Sequence, residues 1–263
     1  METLTQYSFV DLSWIGLVLM LSGMNKGGFP VGLVATPLLI LVWPEQSHAA
    51  RAAVGFMLPM LCLMDIIAMT LYRKEIEWPR LNYLWLGSVA GIAIASLLFV
   101  ADEAALLAVS DRTLKVCVGA LGLLHVTYVA AKRLILRRLD RDFHPAWGTG
   151  TLFGFSAGLT STLAHAAAPV IQMYLLPQKL PKKRYVATIG AFFLVVNLIK
   201  LLPFAYLGRI TKGSLMLGGA MLPVLPVGVA LGWWLTHKTS QKHYTVLIYA
   251  TLLATSVLLI IRA

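Results

Sequence analysis

The feature that most constrains this chain is a long apolar run, residues 9–43, with polar residues and helix breakers at its centre. The run exceeds the roughly 20 residues that one membrane crossing needs. Two adjacent glycines and a proline do not fit one straight helix, so the run predicts a hairpin of two short helices with a polar tip. The tip contains, in order, Asn25, Lys26, Gly27, Gly28 and, after Phe29, Pro30.

Lys26 at this tip indicates a functional site. A lysine at membrane depth costs about 2.5–3.5 kcal/mol on insertion scales, and irregular backbone is tolerated there only inside protein or beside a wet cavity. Pro30 suits the first turn of the second arm, whose free N–H groups would then point at the tip. We therefore predict an anion site at Lys26. The alternatives are that Lys26 extends to the membrane interface and that Asn25 caps the second arm.

The composition excludes an ordinary soluble domain. Of the 263 residues, 59% are hydrophobic and only 13% are charged, so the sequence predicts an all-α polytopic membrane protein without a separate soluble domain. The net charge of +11 is explained by cytoplasmic lysines and arginines, by attraction of anionic substrates, or by both. Cys62 and Cys117 lie in apolar runs and are interpreted as core residues, not as a disulfide or a metal site.

The second half of the chain repeats the first at a shift near 132 residues. Pro169 corresponds to Pro37 and Asn197 to Asp65, and the two interrupted runs occupy the same place in their repeats. Paired interruptions of this kind are the best sequence indication of a transporter binding site. The predicted first repeat, 1–131, contains hairpin 9–43 and spans 52–72, 81–101 and 113–131. A cytoplasmic linker follows at 132–146. The predicted second repeat, 147–263, contains hairpin 147–176 and spans 185–207, 214–235 and 244–261.

The distribution of lysine and arginine favours an inverted repeat. If each interrupted run is a hairpin that enters and leaves on one face, 14 of the 22 basic residues lie in loops on one side and six on the other. Single crossings would instead divide the basic loops almost evenly. The positive-inside rule therefore predicts two inverted repeats with both termini outside. Re-entrant arms and two short full crossings give the same parity, so both stay open.

The tip of the second predicted hairpin carries hydroxyl groups and a histidine. Thr160, Ser161 and Thr162 offer hydroxyl donors to a substrate, or cap the following arm. His165 is a ligand or a satisfied core histidine.

Three more polar residues lie in the middle of predicted spans. Asp65 is interpreted as a coupling or orienting residue, because an intramembrane carboxylate is a functional candidate by default; the alternative is a structural ion pair with Lys200. Asn197 and Lys200 lie one turn apart on one helix face and are predicted to line the substrate site.

The sequence contains no enzyme motif. It has neither G-x-S-x-G nor H-E-x-x-H, and no phosphate-binding loop. We therefore predict no catalytic residue, no cofactor and no metal site. Two rival functions stay open: an anion channel that uses the same site, and a membrane-embedded enzyme that uses His125, His165 and Asp65.

Several motifs, spread over nearly the whole chain, resemble the TauE/SafE family of sulfite and sulfonate exporters, also called the toluene-sulfonate uptake permease family. Family members often have glycine where this chain has Ala167-Ala168, and more glycine where it has Pro30-Val31, which stiffens both hairpins. The motifs are GMNKGGFPVG (23–32), LPMLCLMD (58–65) followed by Trp78, STLAHAAAP (161–169), YLLPQKLPK (174–182) and NLIKLLPF (197–204).

The resemblance implies a bacterial inner-membrane carrier of small sulfur-containing anions, such as sulfite or sulfonates. We expect alternating access at a midplane site between the tips 23–30 and 158–165. Export is favoured for a bare anion, because an inside-negative potential assists its outward movement by about 2.3 kcal/mol per charge per 100 mV. The expected partners are the anion and membrane lipids, and protons are a candidate coupling ion. A homodimer is one possible oligomeric state. No nucleic-acid partner is expected.

Overall fold

The structure of the chain, a computed structural model, describes residues 7–31, 35, 38–39, 43, 49–103, 120, 123, 127 and 146–261. All regular secondary structure in these residues is helical, which confirms the predicted all-α class. The predicted span 113–131 and linker 132–146 lie almost entirely outside the described residues. The helices are α1 (Phe9–Lys26), α2 (Ala49–Tyr72), α3 (Trp85–Glu103), α4 (Trp147–Ala164), α5 (Ala168–Leu175), α6 (Lys182–Tyr206), α7 (Lys212–Met221), α8 (Val224–Lys238) and α9 (Gln241–Ile261), with short 3₁₀ turns at Arg73–Glu75, Trp78–Arg80 and Leu176–Gln178.

Apolar helices of membrane-crossing length are present. Among the described residues, Ala52–Glu75 and Lys182–Tyr206 are long and apolar enough to cross a membrane. The pair α7 and α8 makes a third if it is counted as one bent span. These helices support the membrane class that the composition predicts.

The run predicted as one span over residues 214–235 is bent. Its two helices, α7 and α8, meet at an angle of 55°, and Pro223 is the residue directly before α8. Proline has no backbone N–H, and its ring clashes with the carbonyl four residues earlier, so α7 does not continue straight through this position. Hydropathy does not reveal the break, because both helices are apolar.

The chain forms two compact units that interleave the predicted repeats. The first unit consists of Met1–Glu75 and Gly190–Ser240, and the second of Ile76–Ile189 and Gln241–Ala263. Each unit therefore combines segments from both halves of the sequence. Compactness and duplication are different properties, so the repeats 1–131 and 147–263 stay a prediction.

In the first unit, glycines bring α1 and α8 close together. Gly23 of α1 and Gly27, which directly follows this helix, face Gly228 and Gly232 of α8, and a Cβ atom on any of them would crowd the opposing backbone. Small residues spaced by four let membrane helices approach closely. This contact fixes the end of α1, which is the helix that leads to the first predicted tip.

The second unit pairs α3 with α4 in the same way. Gly87 and Gly91 of α3 contact α4, whose Gly158 faces Ser88 of α3. Gly150 and Gly154 of α4 face the turn directly before α3, at Tyr83 and Leu84. A Cβ atom on any of these glycines would collide with the neighbouring segment. In each unit, the helix that leads to a predicted tip thus packs on a helix from the other half of the sequence.

Candidate functional site

The end of α1 positions Lys26. The helix ends at this residue, and Gly27 donates its N–H to the Gly23 carbonyl at 2.8 Å. Gly28 follows with a φ of 103°, a conformation that residues with side chains rarely adopt. The chain therefore breaks where the sequence predicts, with Lys26 in the last turn, at the negative end of the helix dipole. The second arm of the predicted hairpin is described only at scattered positions.

Lys26 forms a buried ion pair with Asp65 of α2. Its Nζ lies 2.7 Å from Asp65 Oδ1 and donates a hydrogen bond to Oδ2 at 2.9 Å. The side chain of Lys26 is 10% exposed and that of Asp65 is 1% exposed. A pair so far removed from water is costly unless its geometry is good and other hydrogen bonds support it. The sequence predicts Lys200 as an ion-pair partner for Asp65 and does not indicate Lys26 in that role.

One face of α6 supplies the rest of this site. Phe193, Asn197 and Lys200 follow at spacings of four and three, which places them on one face of the helix. Asn197 Nδ2 donates a hydrogen bond to Asp65 Oδ2 at 2.7 Å, and the centroid of the Phe193 ring lies 4.8 Å from Lys26 Nζ, within the range of a cation–π contact. Lys200 is fully buried and lies within electrostatic range of Lys26 and Asp65.

We call Lys26, Asp65, Asn197 and Lys200 the buried charge cluster. All four belong to the first compact unit. Asp65 and Asn197 are also counterparts in the two predicted repeats, since 132 positions separate them. If α2 and α6 were related by a two-fold axis, corresponding residues near that axis, such as Asp65 and Asn197, would be in direct contact.

The second predicted tip, in the second unit, is also a break between two helices. α4 ends before His165, which adopts a left-handed conformation with a φ of 51°. α5 begins with Ala168, and Pro169 lies in its first turn, where proline is favoured. The interruption that the sequence predicts in 147–176 is therefore present in the backbone.

The hydroxyl groups at this tip point back at their own helix. Thr160 Oγ1 donates to the Ser156 carbonyl at 2.7 Å, and Thr162 Oγ1 donates to the Gly158 carbonyl at 2.8 Å. A hydroxyl has only one proton to donate, so an anion would receive a hydrogen bond from either threonine only if these bonds broke. Neither threonine is the N-cap residue of α5, because that position is Ala167, which makes no side-chain capping bond. Ser161 is buried.

The remaining predicted residues lie around the first tip or outside the described chain. Asn25 has an exposed side chain, and its carbonyl accepts the Gly28 N–H at 3.0 Å. The N–H groups of Gly27 and Gly28 therefore both close the end of α1, and an anion would have to compete for them. His125 lies outside the described residues. Among the residues that the structure describes, no group of three histidine, cysteine, aspartate or glutamate side chains is arranged to hold a metal ion.

Two aromatic residues of the site are not predicted from the sequence. Tyr72 of α2 is buried, and its hydroxyl donates to the Gly27 carbonyl at 2.8 Å. Tyr72 lies seven residues after Asp65, so both side chains are on the same face of α2. Phe193 lies four residues before Asn197, so these two share a face of α6. That periodicity is the signal that could have identified both.

Tyr72→Phe is expected to weaken anion binding several-fold, because the buried Gly27 carbonyl loses its partner and the backbone beside Lys26 is less firmly held. A lost buried partner costs about 1–3 kcal/mol. The matched control is Tyr174→Phe, whose hydroxyl donates to the Arg80 carbonyl at 3.0 Å in the second unit. Thermal unfolding and calorimetric titration with sulfite would measure both variants. Equal affinity losses in the two would refute a specific role of Tyr72 at the tip.

Comparison with protein families gives one match, and it covers nearly the whole chain. The family model described as "Sulfite exporter TauE/SafE" matches residues 14–259. The matched region includes the buried charge cluster and both helix breaks. Searches of curated proteins and of solved structures give no significant match.

Proposed function

The chain belongs to the TauE/SafE sulfite exporter family, a family of membrane transporters, and from this premise we propose that it carries a small sulfur-containing oxyanion such as sulfite or an organic sulfonate. The proposed location is the bacterial inner membrane. The transporter is proposed to expose one anion site alternately to the two sides of the membrane.

The observation that carries this proposal is the buried charge cluster. It contains two lysines and a single carboxylate, all of which are almost fully enclosed. Buried ammonium groups are costly unless acceptor oxygens pair with them, so two enclosed lysines favour a ligand that carries such oxygens. Lys26, Asn197 and Lys200 can all donate hydrogen bonds to oxyanion oxygens. We propose that they form the substrate site together with Asn25 and the backbone of Gly27 and Gly28. At the second tip, Thr160, Ser161, Thr162 and His165 stay predicted anion ligands.

The direct test is anion flux into liposomes that contain the purified protein. We expect saturable movement of sulfite or a sulfonate that depends on the protein and is reduced by Lys26→Met. Saturation and mutual competition among anions would support a carrier. Unitary currents would favour a channel, and turnover of a lipid or quinone without flux would favour an embedded enzyme. Absence of both flux and binding for sulfite, thiosulfate and sulfonates would refute the proposed substrate class.

We further propose that the two repeats are inverted in the membrane. The hydrogen bond between the repeat counterparts Asp65 and Asn197 supports a two-fold relation, and the basic-residue count supports opposite orientations. The charges themselves are not duplicated, since the counterparts of Lys26 and Lys200 at the same shift are Gly158 and Ala68. Such a pseudo-symmetric frame around one asymmetric site is typical of secondary transporters.

Cysteine labelling tests this topology. In a variant without Cys62 and Cys117, single cysteines in the loops 102–111 and 137–141 are expected to react from opposite faces. An impermeant maleimide should reach the first loop from outside in intact cells and the second only after permeabilisation. Labelling of both loops from the same side would contradict the inverted arrangement.

A further inference from the structure

We propose that Asp65 occupies the place of the transported anion on Lys26 when the site is empty, and that an incoming anion displaces it while Asp65 takes up a proton. This inference rests on the proposed function, because it concerns the occupancy of the same site. It assigns to Asp65 the role of an internal competitor of the substrate.

The geometry of Lys26 leads to this proposal. Both carboxylate oxygens of Asp65 lie within 2.9 Å of its ammonium nitrogen, and the Phe193 ring lies beside the same nitrogen. A carboxylate and a sulfur oxyanion present the same kind of acceptor oxygens to an ammonium group. Two anions on one buried cation would repel each other strongly. A substrate anion that binds Lys26 must therefore replace Asp65 rather than join it.

The displaced carboxylate then needs a proton. Asp65 is 1% exposed. In the part of the chain that the structure describes, the charged or titratable groups that act on it are Lys26 from α1, Lys200 from α6 and Cys62 from its own helix. Once the lysines face the substrate anion, the amide of Asn197 is the remaining donor in contact with the carboxylate. A buried carboxylate without a counter-ion is less stable than its neutral acid. One proton from solvent converts the carboxylate to the acid, and no other bond changes.

The charge balance has a consequence for transport. A monovalent anion brings one negative charge into the site, and the proton on Asp65 brings one positive charge. The loaded site therefore has the same net charge as the empty site. An anion carried in this way moves with a proton and without net charge, so its flux should respond to a pH gradient and not to the membrane potential.

The test is calorimetric titration of the purified full-length protein with methanesulfonate, a monoanion that holds no titratable proton near neutral pH. Titrations in buffers of different ionisation enthalpy give the number of protons taken up per anion. We expect about one proton for the wild type and for Lys200→Gln, and none for Asp65→Asn. We also expect Asp65→Asn to bind at least ten-fold more tightly than the wild type, because asparagine does not compete for Lys26. Ser88→Ala, a change at a buried serine whose hydroxyl donates to the Leu84 carbonyl four residues earlier, should match the wild type.

Each outcome decides the proposal. Weaker binding by Asp65→Asn would show that Asp65 orients Lys26 instead of competing with the anion, and would overturn the inference. Proton uptake that persists in Asp65→Asn and disappears in Lys200→Gln would place the proton on Lys200 and would also overturn it. If Asp65→Asn does not fold, zero proton uptake by the wild type still overturns it, and uptake by both the wild type and Lys200→Gln supports it. If the wild type binds neither methanesulfonate nor sulfite, the proposed function itself fails.

Discussion

Lys26→Ala is expected to abolish measurable anion binding and to lower the free energy of unfolding by roughly 3–5 kcal/mol, the usual effect of removing one partner from a buried ion pair. Asp65, 1% exposed, loses the cation in direct contact with it. Lys200 lies close enough to compensate in part, so the lower end of the range is expected. From sequence alone the expectation is the reverse, since deletion of an expensive buried lysine should leave the protein folded. The ion pair changes that expectation.

Three comparison variants separate binding from stability. Lys26→Met combined with Asp65→Leu removes both charges and should regain stability without regaining anion binding. Lys26→Arg should lose part of the affinity, because the guanidinium is larger and binds as a fork. Ser161→Ala, at the second tip, should cost no more than one hydrogen bond to a charged group, about 1.5–3 kcal/mol. Calorimetry with sulfite and denaturant unfolding in detergent measure both quantities. Unchanged anion affinity in Lys26→Ala would exclude the buried charge cluster as the substrate site.

Asp65→Asn is expected to reduce anion flux at least ten-fold while the protein still accumulates in the membrane. The asparagine keeps the size of the side chain and a carbonyl that accepts the hydrogen bond from Asn197, but it carries no charge and takes up no proton. The anion therefore stays on Lys26, and the remaining flux should lose its dependence on pH. Flux into liposomes with and without a pH gradient, normalised to the amount of reconstituted protein, provides the measurement.

The control for this variant is Ser88→Ala, which should transport like the wild type. Asp65→Glu tests whether the carboxylate alone suffices, and we expect it to keep pH dependence at a reduced rate, because the longer side chain disturbs the pair with Lys26. Normal abundance together with normal, pH-dependent flux in Asp65→Asn would exclude both the coupling and the orienting role of Asp65.

The class of this protein and two of its helix breaks could be predicted from the sequence, whereas the bend between α7 and α8 could not. Composition indicates a membrane protein because the free energy of burying apolar surface depends on the amount of that surface and not on its arrangement. The breaks after Lys26 and at His165 follow from glycines and prolines near them, which act on their own backbone. The shared helix face of Asn197 and Lys200 also follows from local geometry, since a spacing of three fixes their relative direction.

Which polar residues come into contact could not be predicted from the sequence. Lys26 and Asp65 are 39 positions apart, and the sequence offers Lys200 as an equally reasonable partner. The choice depends on the rotation and depth of α1 relative to α2 and α6, and glycine contacts with α8 set the position of α1. Likewise, Thr160 and Thr162 have the chemistry of anion ligands, but their protons go to their own helix. The backbone conformation of a segment depends mainly on its own residues. Which side chains from different segments come into contact depends on how the helices pack, and this cannot be read from one segment alone.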